Sequence, residues 1–212
     1  TGDESWRAAV VNWMKTRHDW QIEPDWLIPT YGVLSGISLV IQAFSEPDDS
    51  VVIFSPVYPG FIGVINQTGR RIHFAEMTLS QGRYEMDFDR LDRDLPENAK
   101  IVILCNPHNP GGRMWTAEEQ RELGAFCERR DLLLISDEIH HDLILSGKTH
   151  VPFVKAAPDL THRTITFASP TKTFNIAGLH LAEAIIEDET LRKAVLTKAG
   201  NSGLLHHNTL GM

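Results

Sequence analysis

The sequence predicts an α/β fold: a three-layer α/β/α sandwich around a mostly parallel central sheet. Three observations predict it. Short, mostly apolar runs at 51–54, 100–105, 132–136 and 164–168 have strand length, and 101–105 is wholly apolar, as strands covered on both faces are. Longer segments between them repeat apolar residues at helical spacing. The two kinds of segment alternate along the chain, the pattern of strand–helix–strand units.

Taken in order, residues 6–17 place Trp6, Val10, Trp13 and Met14 on one helical stripe, which reads as core or subunit contact. A glycine turn after Thr30-Tyr31 opens a second helix, Gly32 to Phe44. Val51 to Phe54 is a buried strand, Pro59 to Gln67 a helix, and Arg70 to Phe74 a further strand. Asp87 caps a helix running to Leu95. Lys100 to Cys105 is the next strand; Thr116 and Glu119 then form a capping box for a helix to about Arg130, with Leu123, Phe126 and Cys127 as its buried stripe. Strands follow at Leu132–Ser136, Thr164–Ala168 and Ala182–Ile186, and Leu191 begins a last helix. There is no internal repeat, charge block or linker-like stretch, so residues 1–212 read as one domain.

Composition narrows the class. The 212 residues are 42% hydrophobic and 23% charged, as in soluble globular proteins. Twenty Lys and Arg against 28 Asp and Glu give a formal charge of −8. That excludes a general nucleic-acid or anionic-membrane binder, which needs basic surface. No apolar run approaches the ~18–20 residues that span a bilayer. Cys105 and Cys127 are too few for a disulfide framework and point to a reducing, cytoplasmic setting. The first residues, Thr1 to Ser5, lack an initiator Met and the features of a signal peptide, so the expectation is a piece of a longer chain.

In open α/β sheets ligands sit at the carboxyl ends of the strands. After 51–54 comes Ser55-Pro56-Val57-Tyr58; after the strand ending at Cys105, Asn106-Pro107-His108-Asn109-Pro110-Gly111-Gly112. Ser136-Asp137-Glu138-Ile139-His140 and Ser169-Pro170-Thr171-Lys172 end two more strands. An aromatic, an amide, a carboxylate and an amine thus meet on one rim. A lysine amine condenses with an aldehyde, a carboxylate keeps a heterocyclic nitrogen protonated, an aromatic ring stacks on a flat cofactor, and amides at a helix N-terminus hold a phosphate. Gly32-Val33-Leu34 offers such amides. These groups suit pyridoxal 5′-phosphate (PLP), which is an aldehyde, a pyridine and a phosphate in one molecule.

Ser169 to Leu179 (SPTKTFNIAGL) resembles the lysine segment of fold-type-I PLP enzymes. Cys105 to Arg113 (CNPHNPGGR) and Ser136 to His140 (SDEIH) resemble the C–S lyase subgroup of class I/II aminotransferases, the MalY/PatB-type cystathionine β-lyases. The resemblance covers essentially the whole chain. It implies the PLP-dependent transferase large domain, with Lys172 as the lysine that bonds the cofactor aldehyde and moves the Cα proton. It makes Asp137 the acid on the pyridine nitrogen, Tyr58 the stacking ring, and Asn109 the amide near the ring hydroxyl and the substrate carboxylate. His140 takes the place of a Tyr that bonds that hydroxyl; Val33 and Leu34 supply phosphate-binding amides, with hydroxyls from Ser169 and Thr171. His180 stands where many aminotransferases carry a phosphate-binding Arg, which is a departure. The family's N-terminal segment and smaller C-terminal domain, the source of an Arg for the substrate carboxylate, have no counterpart in these residues.

The resemblance implies a lyase that removes a thiol from Cβ of a cystathionine-like amino-acid substrate, giving pyruvate and ammonia, in a full-length homodimer. The alternative is an aminotransferase of the same superfamily. A third reading, a non-catalytic binding protein, leaves the Lys172–Asp137–Asn109 set without a purpose. His140-His141 with Asp137 and Asp142, or His206-His207, could suggest a metal, but adjacent histidines diverge and no HExxH spacing exists; no metal is expected. Gly147-Lys148-Thr149 lacks the first glycine of a phosphate loop, since position 142 is Asp142. Cys127, on a helix face, reads as core.

Overall fold

The computed structural model describes residues 4–145 and 147–204. Its order is α1 (Glu4–His18), β1 (Leu27–Thr30), α2 (Val33–Phe44), β2 (Ser50–Ser55), α3 (Pro59–Gln67), β3 (Arg71–Glu76), a hairpin of β4 (Thr78–Ser80) and β5 (Arg83–Glu85), and α4 (Phe88–Asp94). The second half runs β6 (Ala99–Cys105), α5 (Ala117–Arg129), β7 (Leu133–Asp137), α6 (Phe153–Ala156), β8 (Thr164–Ala168), α7 (Pro170–Thr173), β9 (Ala182–Ile185) and α8 (Glu189–Asn201).

Seven strands form one sheet in the order β1-β9-β8-β7-β6-β2-β3. Neighbours from β3 through β2, β6 and β7 to β8 are parallel; β9 is antiparallel to both β8 and β1. The apolar runs are explained by what lies on each face. Val51, Ile53, Ile101 and Ile103 point into a cluster with Ile37, Val40 and Ile41 of α2. Their alternates Val52, Phe54, Val102 and Leu104 meet Leu123, Phe126 and Cys127 of α5. Along β1 and β9 the second face is covered by α1, through Trp6, Met14, Leu181 and Ile185. The three-layer sandwich is therefore the architecture observed.

Helix starts follow the chemistry of their caps. Asp87 accepts from the Arg90 amide, and Thr116 and Glu119 form the reciprocal box. The last helix starts at Glu189, two residues before Leu191, because Asp188 caps it. The strand expected at Leu132–Ser136 is shifted to Leu133–Asp137, so Asp137 is its last residue and pairs in register with Cys105 and Phe167. Strand β1 and the β4–β5 hairpin are additional to the sequence reading.

Candidate active site

The strands of the parallel set end at one rim. Between β2 and β6 the order of connection reverses, the place where open sheets leave a crevice. A cavity of about 410 Å³ lies there, lined by Val33, Leu34, Tyr58, Asn109, Asp137, His140, Thr171, Lys172 and His180 among others. Eight of the nine residues proposed from sequence thus line one cavity.

Each is aimed by local backbone. Gly32 turns the chain from β1 into α2 at φ 91°, a region open to glycine. No side chain caps that helix, so its first amides, at Val33 and Leu34, have no partner of this kind. The Gly32 carbonyl is held from behind by the hydroxyls of Thr30 and Ser35. Tyr58 precedes α3, with its ring edge-on to Phe61 at 5.7 Å. A Cβ at Gly60 would lie 2.3 Å from that ring, so glycine there leaves the tyrosine its place. Asn109 sits at the tip of a loop pinched by hydrogen bonds from the His108 amide to the Arg113 carbonyl and from the Gly112 amide to the His108 carbonyl, and His108 Nε2 lies 2.9 Å from the Pro56 carbonyl. The loops after β2 and β6 are thereby tied together.

Asp137 is 5% exposed and accepts from the Ile139 amide at 3.1 Å. Burial pushes its pKa up to about 7; that hydrogen bond and the charge of Lys172 oppose the rise, and Glu138 adds to it. His140 is held neutral, its pKa lowered by burial and by the charge of Lys172. Burial also raises the pKa of Cys105, next to Asp137, so it is an un-ionised thiol.

Ser169 is the exception among the sequence candidates. It caps α7 by accepting from the Thr171 amide, and its hydroxyl contacts Leu181 O at 2.7 Å and Thr171 Oγ1 at 2.6 Å. It is therefore directed into the chain behind Thr171, and Thr171 faces the cavity. His180 keeps a place at the wall, in a left-handed backbone conformation.

A second polar cluster, which sequence spacing did not suggest, stands behind the lysine turn. Asp142 accepts from Trp13 Nε1 at 3.1 Å and Thr173 Oγ1 at 2.9 Å, and lies 2.9 Å from His18 Nε2 and 3.3 Å from His141 Nε2. Burial alone would raise the Asp142 pKa, but the hydrogen bonds from His141, His18 and Thr173 outweigh it and hold the carboxyl well below the usual range. Glu138 is bonded to His150 at 2.7 Å, Ser136 and the Phe153 amide. The adjacent histidines do diverge: His140 faces the cofactor-sized cavity and His141 faces Asp142. Among the described residues two groups, His18-His141-Asp142 and Glu138-His141-His150, have ligand-type atoms within 4.8 Å of one another. His18 comes from α1, 124 residues away from Asp142, which is why no local motif marked the group. His206-His207 lies outside the described residues.

The family model for aminotransferase class I and II matches residues 1–202. The chain is 39% identical over 212 residues to cystathionine beta-lyase PatB of Bacillus subtilis, covering 100% of this chain and 53% of that protein. It is 30% identical to protein MalY of Escherichia coli, covering 99% and 54%. Cystalysin from Treponema denticola, solved with a pyridoxal 5′-phosphate cofactor, superposes with a TM-score of 0.94 at 37% identity, over 100% of this chain and 54% of that one. A PLP-bound C–S lyase from Staphylococcus hominis gives 0.91 at 34% identity, over 100% and 53%. The chain thus spans about half the length of these relatives. With the sheet order, the strand-end loops and the match over nearly all its length, this chain belongs to the aminotransferase class I and II family.

Proposed function

We propose that residues 1–212 form the PLP-binding large domain of a C–S β-lyase acting on cystathionine-like amino acids. The observation that carries this reading is the meeting of Lys172, Asp137, Tyr58 and Asn109 on one cavity. The residues suit the cofactor physically. Asp137 is a buried acid with one backbone donor and no ion pair among the described residues, and a protonated ring nitrogen would supply the missing positive charge. The uncapped amides of α2 suit a phosphate.

PLP, when bound, supplies an aldehyde for an amine and a ring that accepts electron density from Cα. Lys172 would hold the aldehyde through Nζ, and the same amine, when free, would take the Cα proton. Asp137 keeps the proton on the ring nitrogen. Tyr58 stacks on the ring. Asn109 and neutral His140 orient the ring oxygen by hydrogen bonding. Val33 and Leu34, with Thr171, hold the phosphate. With the Cα proton taken up by Lys172 Nζ, the electron pair left behind would allow a thiolate to depart from Cβ. Similarity to cystathionine beta-lyase PatB and to the Staphylococcus hominis C–S lyase supports elimination over transamination.

In the full-length protein a further domain supplies the contact to the substrate carboxylate, and the assembly is a homodimer in the cytoplasm. Two free, buried cysteines accord with a reducing compartment. Among the described residues no helix is long and apolar enough to cross a membrane.

The test uses the full-length protein purified with PLP. The expected result is a visible absorption band, a borohydride-stable adduct on Lys172, and pyruvate from cystathionine with no keto acid added. Lys172→Ala should lose the adduct and at least about 10³-fold in turnover. An adduct on another lysine would overturn the assignment, and turnover only with a keto-acid acceptor would make the enzyme an aminotransferase.

A further inference from the structure

A second cavity, of about 330 Å³, lies on the other side of the lysine turn, under α1. Trp6, Val10, Trp13 and Met14 of α1 line it, with Leu181 and with Phe174, whose ring meets Trp13 edge-on at 5.5 Å. Asp142 and Glu183 are its acids. They differ in one respect. Asp142 is bonded to Trp13, His18, His141 and Thr173. Glu183, on β9, is 4% exposed, and its Oε2 has no hydrogen-bond partner among the described residues. Burial, with Asp142 beside it, pushes its pKa up to about 8. An unpartnered acid so placed is unfavourable unless something binds it. Arg7 and Arg17 stack on the rings of Trp6 and Trp13 at 5.7 and 5.4 Å, and neither lines the cavity.

We propose that this cavity is a second small-molecule site, for an organic cation with an apolar or aromatic body. The body packs against Trp6 and the Trp13–Phe174 ring pair, and the cationic head reaches Glu183. The head takes the place of the proton that burial keeps on Glu183, which is released to solvent, so the carboxylate it meets is charged, and aromatic faces add cation–π attraction. The volume falls in the range of small-ligand pockets. The site is separate from the cofactor cavity but touches the same turn: Pro170 and Phe174 line it, and Thr173 bonds Asp142 on its floor. An occupant therefore bears on the segment that carries Lys172. None of this depends on the lyase reading.

Benzyltrimethylammonium is a suitable probe, because it has no N–H and cannot condense with an aldehyde. It is titrated by calorimetry into the full-length protein, with PLP bound and without it, so the result is independent of the cofactor assignment. Saturable one-to-one binding is expected in both forms. Glu183→Gln should weaken it by about tenfold or more. Ala9→Trp, which fills the rim from the exposed side of α1, should abolish it while leaving the PLP absorption band unchanged. Three results would each overturn the proposal: no saturable binding in the wild type, including because the rest of the full-length chain fills the cavity; equal binding by Glu183→Gln; or equal affinity for the uncharged isostere neopentylbenzene.

Discussion

Asp137 has its properties because β7 ends on it, between Cys105 and Phe167, with a single amide for its carboxylate. Its folded pKa is raised from 3.8 to about 7, chiefly by burial. A raised acid favours the protonated native state, so its contribution to stability is fully present below about 3.8 and is lost as pH rises through about 7. Asp137→Asn should therefore flatten the decline in thermal stability between pH 5 and pH 8, making the PLP-free protein more stable at pH 8 by on the order of 1–3 kcal/mol. The same variant should lose most of its turnover, because Asn cannot hold a ring nitrogen protonated. Thermal unfolding at the two pH values, beside an activity assay, checks both; an unchanged pH slope would refute the burial argument. Lys172, Tyr58 and Asn109 were legible in sequence because each follows a buried strand at a turn-rich end, and Asp137 because it closes one. Ser169 and His141 were not, because the direction of a side chain at such an end is decided by backbone torsion and by which hydroxyl or carboxylate stands opposite.

Among the elements, α2 shows how closely the layers meet. At Gly36 the helix passes Phe167 of β8: a Cβ there would be 2.3 Å from Phe167 Cε1 and 3.1 Å from Thr30 Cγ2. Gly36→Ala should force the aromatic ring, or the helix, to move, and cost about 1–3 kcal/mol despite alanine's better helix propensity. Urea unfolding measures it, and a stabilised variant would contradict the contact. Capped helices and buried strands were legible because their signals are local: Thr116 with Glu119, Asp87, and the apolar run from Ile101 to Cys105 in β6. Strand β1 was missed because four residues containing Pro29 carry little strand signal; its place at the sheet edge comes from pairing with β9. The β4–β5 hairpin is mostly exposed and has no hydrophobic alternation to reveal it. The reversed direction of β9 is likewise a matter of partners, since β8 and β1 both lie antiparallel to it.

At the scale of the molecule, Asp142 joins three separate parts of the chain: α1 through Trp13 and His18, its own loop through His141, and the lysine turn through Thr173. Asp142→Ala would leave all these donors without their acceptor and should destabilise the protein by about 3–5 kcal/mol. Thr173→Val, which removes one of the bonds, should cost about 1 kcal/mol. Equilibrium unfolding of the two variants separates the cases: equal losses would mean that Asp142 is not a common anchor. This cluster was invisible in sequence, since 129 residues separate Trp13 from Asp142 and nothing local announces that they meet.

By itself the sequence determined the alternation of buried strands and capped helices, hence the sandwich, and the residue types delivered to the strand ends, hence the cofactor chemistry expected there. Those features are set by short-range forces, apolar periodicity and turn stereochemistry, which are written in neighbouring residues. Only the tertiary structure decided that β9 runs backwards, that Ser169 turns inward, and that Glu183 is buried beside Asp142 with its Oε2 unbonded among the described residues. Such outcomes depend on which distant groups are brought within hydrogen-bond range and removed from water, and that is fixed when the layers close on one another.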